Sequence, residues 1–407
     1  MPNLKKLKIA LLTSSFLPSI GGAQVGIHNI AIQLKKKGHI PIVVCPNRDK
    51  KALDKLKWRF NYEIVGFPSI AYYGIRYFPN TVFKIFNFIF DNLQSKYKFD
   101  FWHVTMAYPL GIIITKYAEK KKIKYLIRCA GEDIQASKKI NYGYRLDAKI
   151  NYLIKKWLKR SRCMIAISKT VYSEYKKIGI RNENIHYIPN GVDIERFSES
   201  PYVEKKIRKK YNIDKETFIF LSVGRNHPKK NFDFLIKAAK IIKSKNEKKF
   251  VIIIVGQGVS NMQKKINNLK LQKNFILLNE ISSGKNINKP NIPSNDLISL
   301  YKLSNTFAFP SLMETFGIVL VEAMAAGLPI ISLDAPGCRD VVRSGKDGIL
   351  IKKFNPIEFA KAMEKIMNSK KLQNKYSKAS LKRARYFSWS NVVNQYIDLY
   401  SKELKIN

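Results

Sequence analysis

Residues 310–331 read PSLMETFGIVLVEAMAAGLPII. The stretch opens on a polar, turn-forming segment, runs into Ile318, Val319, Leu320, Val321, Ala323 and Met324, and ends on Gly327 and Pro329 before the next apolar run. A helix apolar nearly all round is a buried helix. Glu322 lies within it, and a lone buried carboxylate costs several kcal/mol unless donors hold it. Glu314 stands in the loop just before the helix, beside the backbone N–H groups of Thr315, Phe316, Gly317 and Ile318, where the helix N-terminus favours an anion. A purely structural arrangement would have Glu314 cap the helix and Glu322 form a buried ion pair.

On either side of this segment, apolar runs at 306–309 and 329–333 read as strands. The same rhythm of strand and helical pattern extends over most of the chain, which is the signature of parallel α/β units. Strands are expected at 8–14, 40–45, 62–66, 101–105, 123–129, 163–167 and 185–188. After a polar stretch at 193–210 they resume at 218–224, 250–256, 275–278, 306–309, 329–333 and 348–351. Helical patterns include 25–36 and 111–120. The Ser-, Asn-, Gly- and Pro-rich insert 282–293 reads as a loop. At 407 residues the chain exceeds what one core usually supports. The expectation is an α/β protein of two Rossmann-like, doubly wound domains facing a central cleft. The first spans 1–195 and the second 205–386. A helix at 387–407, with apolar Trp389, Val392, Val393, Tyr396 and Tyr400 at helical spacing, packs back on the first. In doubly wound sheets ligands bind beyond the carboxyl ends of the strands, so functional residues should follow strands.

The formal net charge is +44 and 45% of residues are hydrophobic. So basic a chain suits an anionic partner: nucleic acid, an acidic membrane face or a phosphorylated substrate. Both halves are basic, however, and no nucleic-acid-binding module is recognisable, so no nucleic-acid partner is expected. No stretch is long and apolar enough to span a bilayer, and the first apolar run reads as a strand and not a signal peptide. Cys45, Cys129, Cys163 and Cys338 lie far apart and the five histidines show no metal-ligand spacing, which fits a reducing cytoplasm and no metal site.

Three further groups carry chemistry. Arg225, Lys229 and Lys230 fall between the strand at 218–224 and the helix beginning near Asn231. Cations there oppose the helix dipole, an arrangement that makes sense when an anion is held between them. Gly21 and Gly22 separate the first strand from the first helix, as a tight turn or as a place where a ligand approaches the backbone. In the first half, His103 lies in a strand, and Asp133 follows another within Ala130-Gly131-Glu132-Asp133.

With NGVDIERF at 190–197 and GRNHPKKN at 224–231, the E-x7-E segment resembles glycosyltransferase family 4, a family of retaining, group 1 enzymes with the GT-B fold. The resemblance covers essentially the whole chain and is most specific in the second half. It implies a metal-independent hexosyltransferase working in bacterial-type surface polysaccharide or glycolipid synthesis. The donor would be a UDP- or GDP-linked sugar serving as substrate, with no cofactor, and the acceptor a glycan or a lipid-linked sugar. It implies that Glu314 contacts the transferred sugar, Glu322 the ribose, and Arg225 and Lys230 the diphosphate, while Gly21-Gly22 matches the family's loop over acceptor and phosphate. Many members carry a histidine where this chain has Ala130. His103, Asp133 or Glu132 would then position the acceptor, or the donor phosphate would take the proton. The absence of a D-x-D sequence agrees with binding of diphosphate without a divalent cation. An epimerase on the same fold, or a basic nucleic-acid-binding protein, is the alternative.

Two stretches suggest contact with an anionic membrane on its cytoplasmic side. One is KKALDKLKWRF at 50–60. The other is the stripe Phe83, Phe86, Ile89, Phe90 and Leu93.

Overall fold

The computed structural model describes residues 5–69, 72, 74–200, 202, 204–245, 248–279 and 290–406. Within them every expected strand is present, with ends shifted by at most two residues. The loop expected at 282–293 lies outside the described residues as far as 289.

The chain divides into two compact units. It leaves the first after Asn190 and re-enters it at Trp389, so that the second, from Gly191 to Ser388, is inserted between two parts of the first. In the first unit β1 (Lys8–Thr13), β2 (Ile40–Pro46), β3 (Glu63–Phe67), β4 (Phe101–Thr105), β5 (Tyr125–Arg128), β6 (Met164–Ala166) and β7 (Ile185–Tyr187) form one sheet, in the order β3-β2-β1-β4-β5-β6-β7. In the second, β8 (Phe218–Val223), β9 (Phe250–Val255), β10 (Phe275–Leu278), β11 (Thr306–Phe309), β12 (Ile330–Leu333) and β13 (Gly348–Ile351) are ordered β10-β9-β8-β11-β12-β13. All these pairings are parallel. The central strands are buried at every position, FIFLSV in β8 and FVIIIV in β9, and apart from Ser222 they are apolar.

The alternation of β4 shows how the first core is filled. Trp102 points to one face, against Phe90, Phe99 and Tyr117. Phe101 and His103 point to the other, against Tyr396 and Tyr400 of the C-terminal helix Trp389–Leu404. This helix buries Trp389, Val392, Val393, Tyr396 and Tyr400, the positions its spacing singles out. All four cysteines are buried free thiols.

The Tyr400 hydroxyl lies 2.6 Å from Nδ1 of the fully buried His103. Removing one partner of a buried hydrogen bond leaves the other unsatisfied. Tyr400→Phe is therefore expected to lower the unfolding free energy by roughly 1–3 kcal/mol, read from the urea midpoint. An unchanged midpoint would show that this contact does not hold the helix.

Candidate active site

In both sheets the strand order reverses beside the first strand of the unit, between β1 and β4 and between β8 and β11. The crevice at such a reversal is where doubly wound folds bind ligands. In the second unit it is bordered by the segments that follow β8 and β11.

After β8 the chain passes Gly224 into a tight backbone crossing: a Cβ on Gly256 would lie 2.0 Å from the Gly224 carbonyl oxygen, so only glycine fits there. The short helical turn Pro228–Lys230 follows. It is tied to the segment after β11 by Leu312 N–H, which donates to the Lys229 carbonyl at 2.7 Å. This brings Lys230 Nζ within 2.6 Å of Glu314 Oε1, with both side chains nearly buried, and within 4.7 Å of the centre of the Phe309 ring. Ser311 donates to the same carboxylate oxygen at 2.7 Å. Burial works to raise the Glu314 pKa, but the positive charges of Lys230 and Lys229 and the two hydrogen bonds outweigh it, and the carboxyl titrates below its ordinary value. Gly337, in the left-handed region, closes the other side. A Cβ there would lie 2.2 Å from the Glu314 carbonyl oxygen.

The helix begins at Ile318, after Gly317 in the left-handed conformation, and runs to Ala325. Thr315 and Phe316 are buried, Phe316 against Phe387. Ile318 is half-buried. Glu322 makes no ion pair among the described residues. Its Oε2 accepts from the Tyr301 hydroxyl at 2.9 Å. With no cation to offset burial, and only Tyr301 opposing it, the Glu322 carboxyl is pushed up to about 7. Two buried carboxylates eight residues apart are thus shifted in opposite directions, Glu314 below and Glu322 above the ordinary value. Arg225 stands exposed just beyond β8.

Several expectations are corrected here. Lys230 forms an ion pair with Glu314, a partner that the sequence reading did not assign to it. In the first unit, His103 is fully buried under the C-terminal helix, because even-numbered residues of β4 face one way and odd-numbered residues the other. Asp133 is also fully buried, and its carboxylate accepts from the backbone N–H groups of Ala107, Ala130 and Gly131. Both side chains are committed to structure, whereas Glu132 is half-buried. Gly21 is the N-cap of the helix Gly22–Lys36, in ordinary extended backbone and without a side-chain cap, and Gly22 is exposed.

The basic-aromatic stretch at 50–60 is not one helical face. The helix Asn47–Leu56 stops before Trp58, Leu53 is buried, and Phe60 packs on Phe16, His28 and Tyr62. In the helix Pro79–Tyr97, Phe83, Phe86 and Phe90 are core, while Ile85 and Phe88 are exposed, as are Tyr77 and Phe78 just before it. Cys163, His186 and Glu403 bring one potential metal-ligand atom each within 4.8 Å of one another, a grouping their separation in sequence conceals. Sequence reasoning also missed Tyr301, Ser311 and Phe309. The requirement that a buried Glu322 have a donor was the available signal for Tyr301.

The family profile described as glycosyl transferases group 1 matches residues 203–383, and that described as glycosyltransferase family 4 matches residues 20–196. The chain belongs to glycosyltransferase family 4. Its fold is that of the GT-B enzymes: HepE of Anabaena, solved in complex with UDP and glucose, superposes with a TM-score of 0.75 at 18% identity, covering 97% of this chain and 100% of that one. An uncharacterized glycosyltransferase of Methanocaldococcus jannaschii is 25% identical over 98% of this chain and 99% of its own length. The UDP-Gal:alpha-D-GlcNAc-diphosphoundecaprenol alpha-1,3-galactosyltransferase of Escherichia coli is 29% identical over 61% of this chain and 63% of its own. The chain spans about half the length of other curated relatives, 54% and 46% for two D-inositol 3-phosphate glycosyltransferases. No described helix is long and apolar enough to cross a membrane.

A carboxyl raised from an ordinary 4.5 to about 7 binds its proton more tightly in the folded chain than in the unfolded one. Its contribution to stability is complete below pH 4.5 and is lost as the pH rises through about 7, by roughly 3 kcal/mol at most. Unfolding free energies at pH 5 and pH 8 should therefore differ less in Glu322→Gln than in the parent. Equal differences would mean that Glu322 is ionised throughout.

Proposed function

We propose that this family 4 protein is a retaining hexosyltransferase that takes a sugar from a UDP- or GDP-linked donor, without a metal ion, and transfers it to a glycan or lipid-linked acceptor. The observation that carries this reading is the pair of buried carboxylates after β11, one held charged by Lys230 and the other neutral-leaning beside Tyr301, at the strand-order reversal of the second sheet.

In this reading Glu322 and Tyr301 meet the ribose hydroxyls. Arg225 and Lys230 meet the diphosphate, together with the N–H groups from Thr315 to Ile318. The Lys230 ammonium has three donors, so it can keep Glu314 and still donate to a phosphate oxygen. Arg225 contributes a planar fork suited to two phosphate oxygens. Both would offset the charge that grows on the leaving diphosphate, which is the work a divalent cation does elsewhere. Glu314, oriented by Ser311 and Lys230, contacts the transferred sugar. The uncapped helix end at Gly21-Gly22 receives acceptor or phosphate. With His103 and Asp133 committed to structure, the donor phosphate takes the acceptor proton, and Glu132 is left to position the acceptor.

In buffer containing EDTA, the melting temperature should rise with UDP- or GDP-sugars. Arg225→Ala and Glu322→Gln should each weaken that binding roughly 10- to 100-fold, the value of a hydrogen bond to a charged group. Undiminished binding in both variants, or a strict need for manganese, would overturn the donor site.

A lipid-linked acceptor would place the protein at the cytoplasmic face of a membrane. Exposed Tyr77, Phe78, Ile85 and Phe88, in so cationic a chain, support contact with an anionic surface. Co-sedimentation should be stronger with anionic than with neutral vesicles and should fall on changing Phe78 and Phe88 to Ser. Equal binding to both vesicle types would favour a soluble acceptor.

A further inference from the structure

β4 and β5 end side by side, with Thr105 paired to Arg128. On the face they share with the C-terminal helix lie five buried atoms without a hydrogen-bond partner: Nε and Nη1 of Arg128, Nε2 of His103, Oγ1 of Thr105 and the hydroxyl of Tyr396. Arg128 is 1% exposed and makes no ion pair among the described residues; its remaining nitrogen, Nη2, donates to Asn190 Oδ1. The guanidinium faces the Tyr396 hydroxyl, whose oxygen can accept from it but carries no negative charge to balance it. The His103 ring packs on that of Tyr396 at 4.8 Å between centres. Over the cluster runs the helix Gly22–Lys36, where Gly26 leaves room for the guanidinium: a Cβ there would lie 3.0 Å from Nη2.

A permanently charged guanidinium sealed from water without a carboxylate is among the costliest arrangements a core can contain. The atoms round it are all able to donate. Arginine has no acceptor, and the hydroxyls of Thr105 and Tyr396 can turn their protons inward. When Tyr400 donates to Nδ1 of His103, the ring proton sits on Nε2. Water could satisfy some of these donors but would leave the charge uncompensated. Arg128, His103, Thr105 and Tyr396 are each at most 1% exposed, so the counter-ion must be small and shed its water.

We propose that Arg128, His103, Thr105 and Tyr396 hold a monatomic anion of chloride size, as the internal counter-ion of Arg128. The anion joins β4, β5 and the C-terminal helix beside Asn190, where the chain leaves the first unit.

The test is thermal unfolding of the full chain in sodium chloride, sodium bromide or sodium gluconate at equal ionic strength. Halides should raise the midpoint by several degrees in a saturable manner, since a ligand of the folded state alone stabilises it by mass action. Any anion screens the self-repulsion of a chain with a net charge of +44. That general effect persists in gluconate and in Arg128→Met, whereas the halide-specific rise should vanish in Arg128→Met and shrink in Thr105→Val. Crystals grown in bromide should show an anomalous peak beside the Arg128 guanidinium, a readout that needs no variant to fold. Equal midpoints in halide and gluconate, an unchanged halide response in Arg128→Met, or ordered water alone at the guanidinium would each overturn the proposal.

Discussion

The 2.6 Å contact between Lys230 and Glu314 is made almost out of reach of water, where a charge without a partner is hardly tolerated. Much of the second unit can be understood as what is required to make that contact. The backbone crossing at Gly224 and Gly256 sets the path out of β8, the Lys229 carbonyl accepts from Leu312 N–H in the segment after β11, and Gly337 allows a third segment to press on the Glu314 backbone. Eight residues on, Glu322 has a phenol in place of an ammonium, and its ionisation differs accordingly. Two identical side chains thus acquire different chemistry from their neighbours alone.

The parallel architecture was legible because it is written in continuous apolar runs, such as FVIIIV in β9, which are the mark of strands covered on both faces. The burial of Glu322 was legible for a similar reason, since its helix has no polar face. Side-chain direction was less accessible. His103 and Trp102 are neighbours in an apolar strand, and which of them faces the C-terminal helix depends on a register fixed by pairing with β1 and β5. The attachment of Lys230 to Glu314 joins residues 84 positions apart, and no local pattern encodes it. Phe60 looked like a surface aromatic among cations because sequence alone does not show the partners that cover it, Phe16, His28 and Tyr62.

The first unit has a different logic. Its sheet is finished by polar groups turned inward: His103 against Tyr400, Asp133 gathering three backbone N–H groups, Arg128 holding Asn190. Such groups specify one arrangement of strand ends and helix more sharply than apolar packing does, because a slipped register would leave each of them unsatisfied. All of these side chains belong to the first unit, where they fix the path of the backbone.

The chain path has a consequence for how the protein is made. A unit whose seven strands lie before Gly191 but whose covering helix starts only at Trp389 stays unfinished while everything between is being synthesised. The second unit, contiguous from Gly191 to Ser388 apart from a few residues, emerges whole from the ribosome and can close its core first, reversing the usual order in which N-terminal domains fold as they appear. Until the helix from Trp389 is made, Phe101 and His103 lack the Tyr396 and Tyr400 rings that pack on them, and this part of the first core must wait for a segment about two hundred residues beyond Asn190.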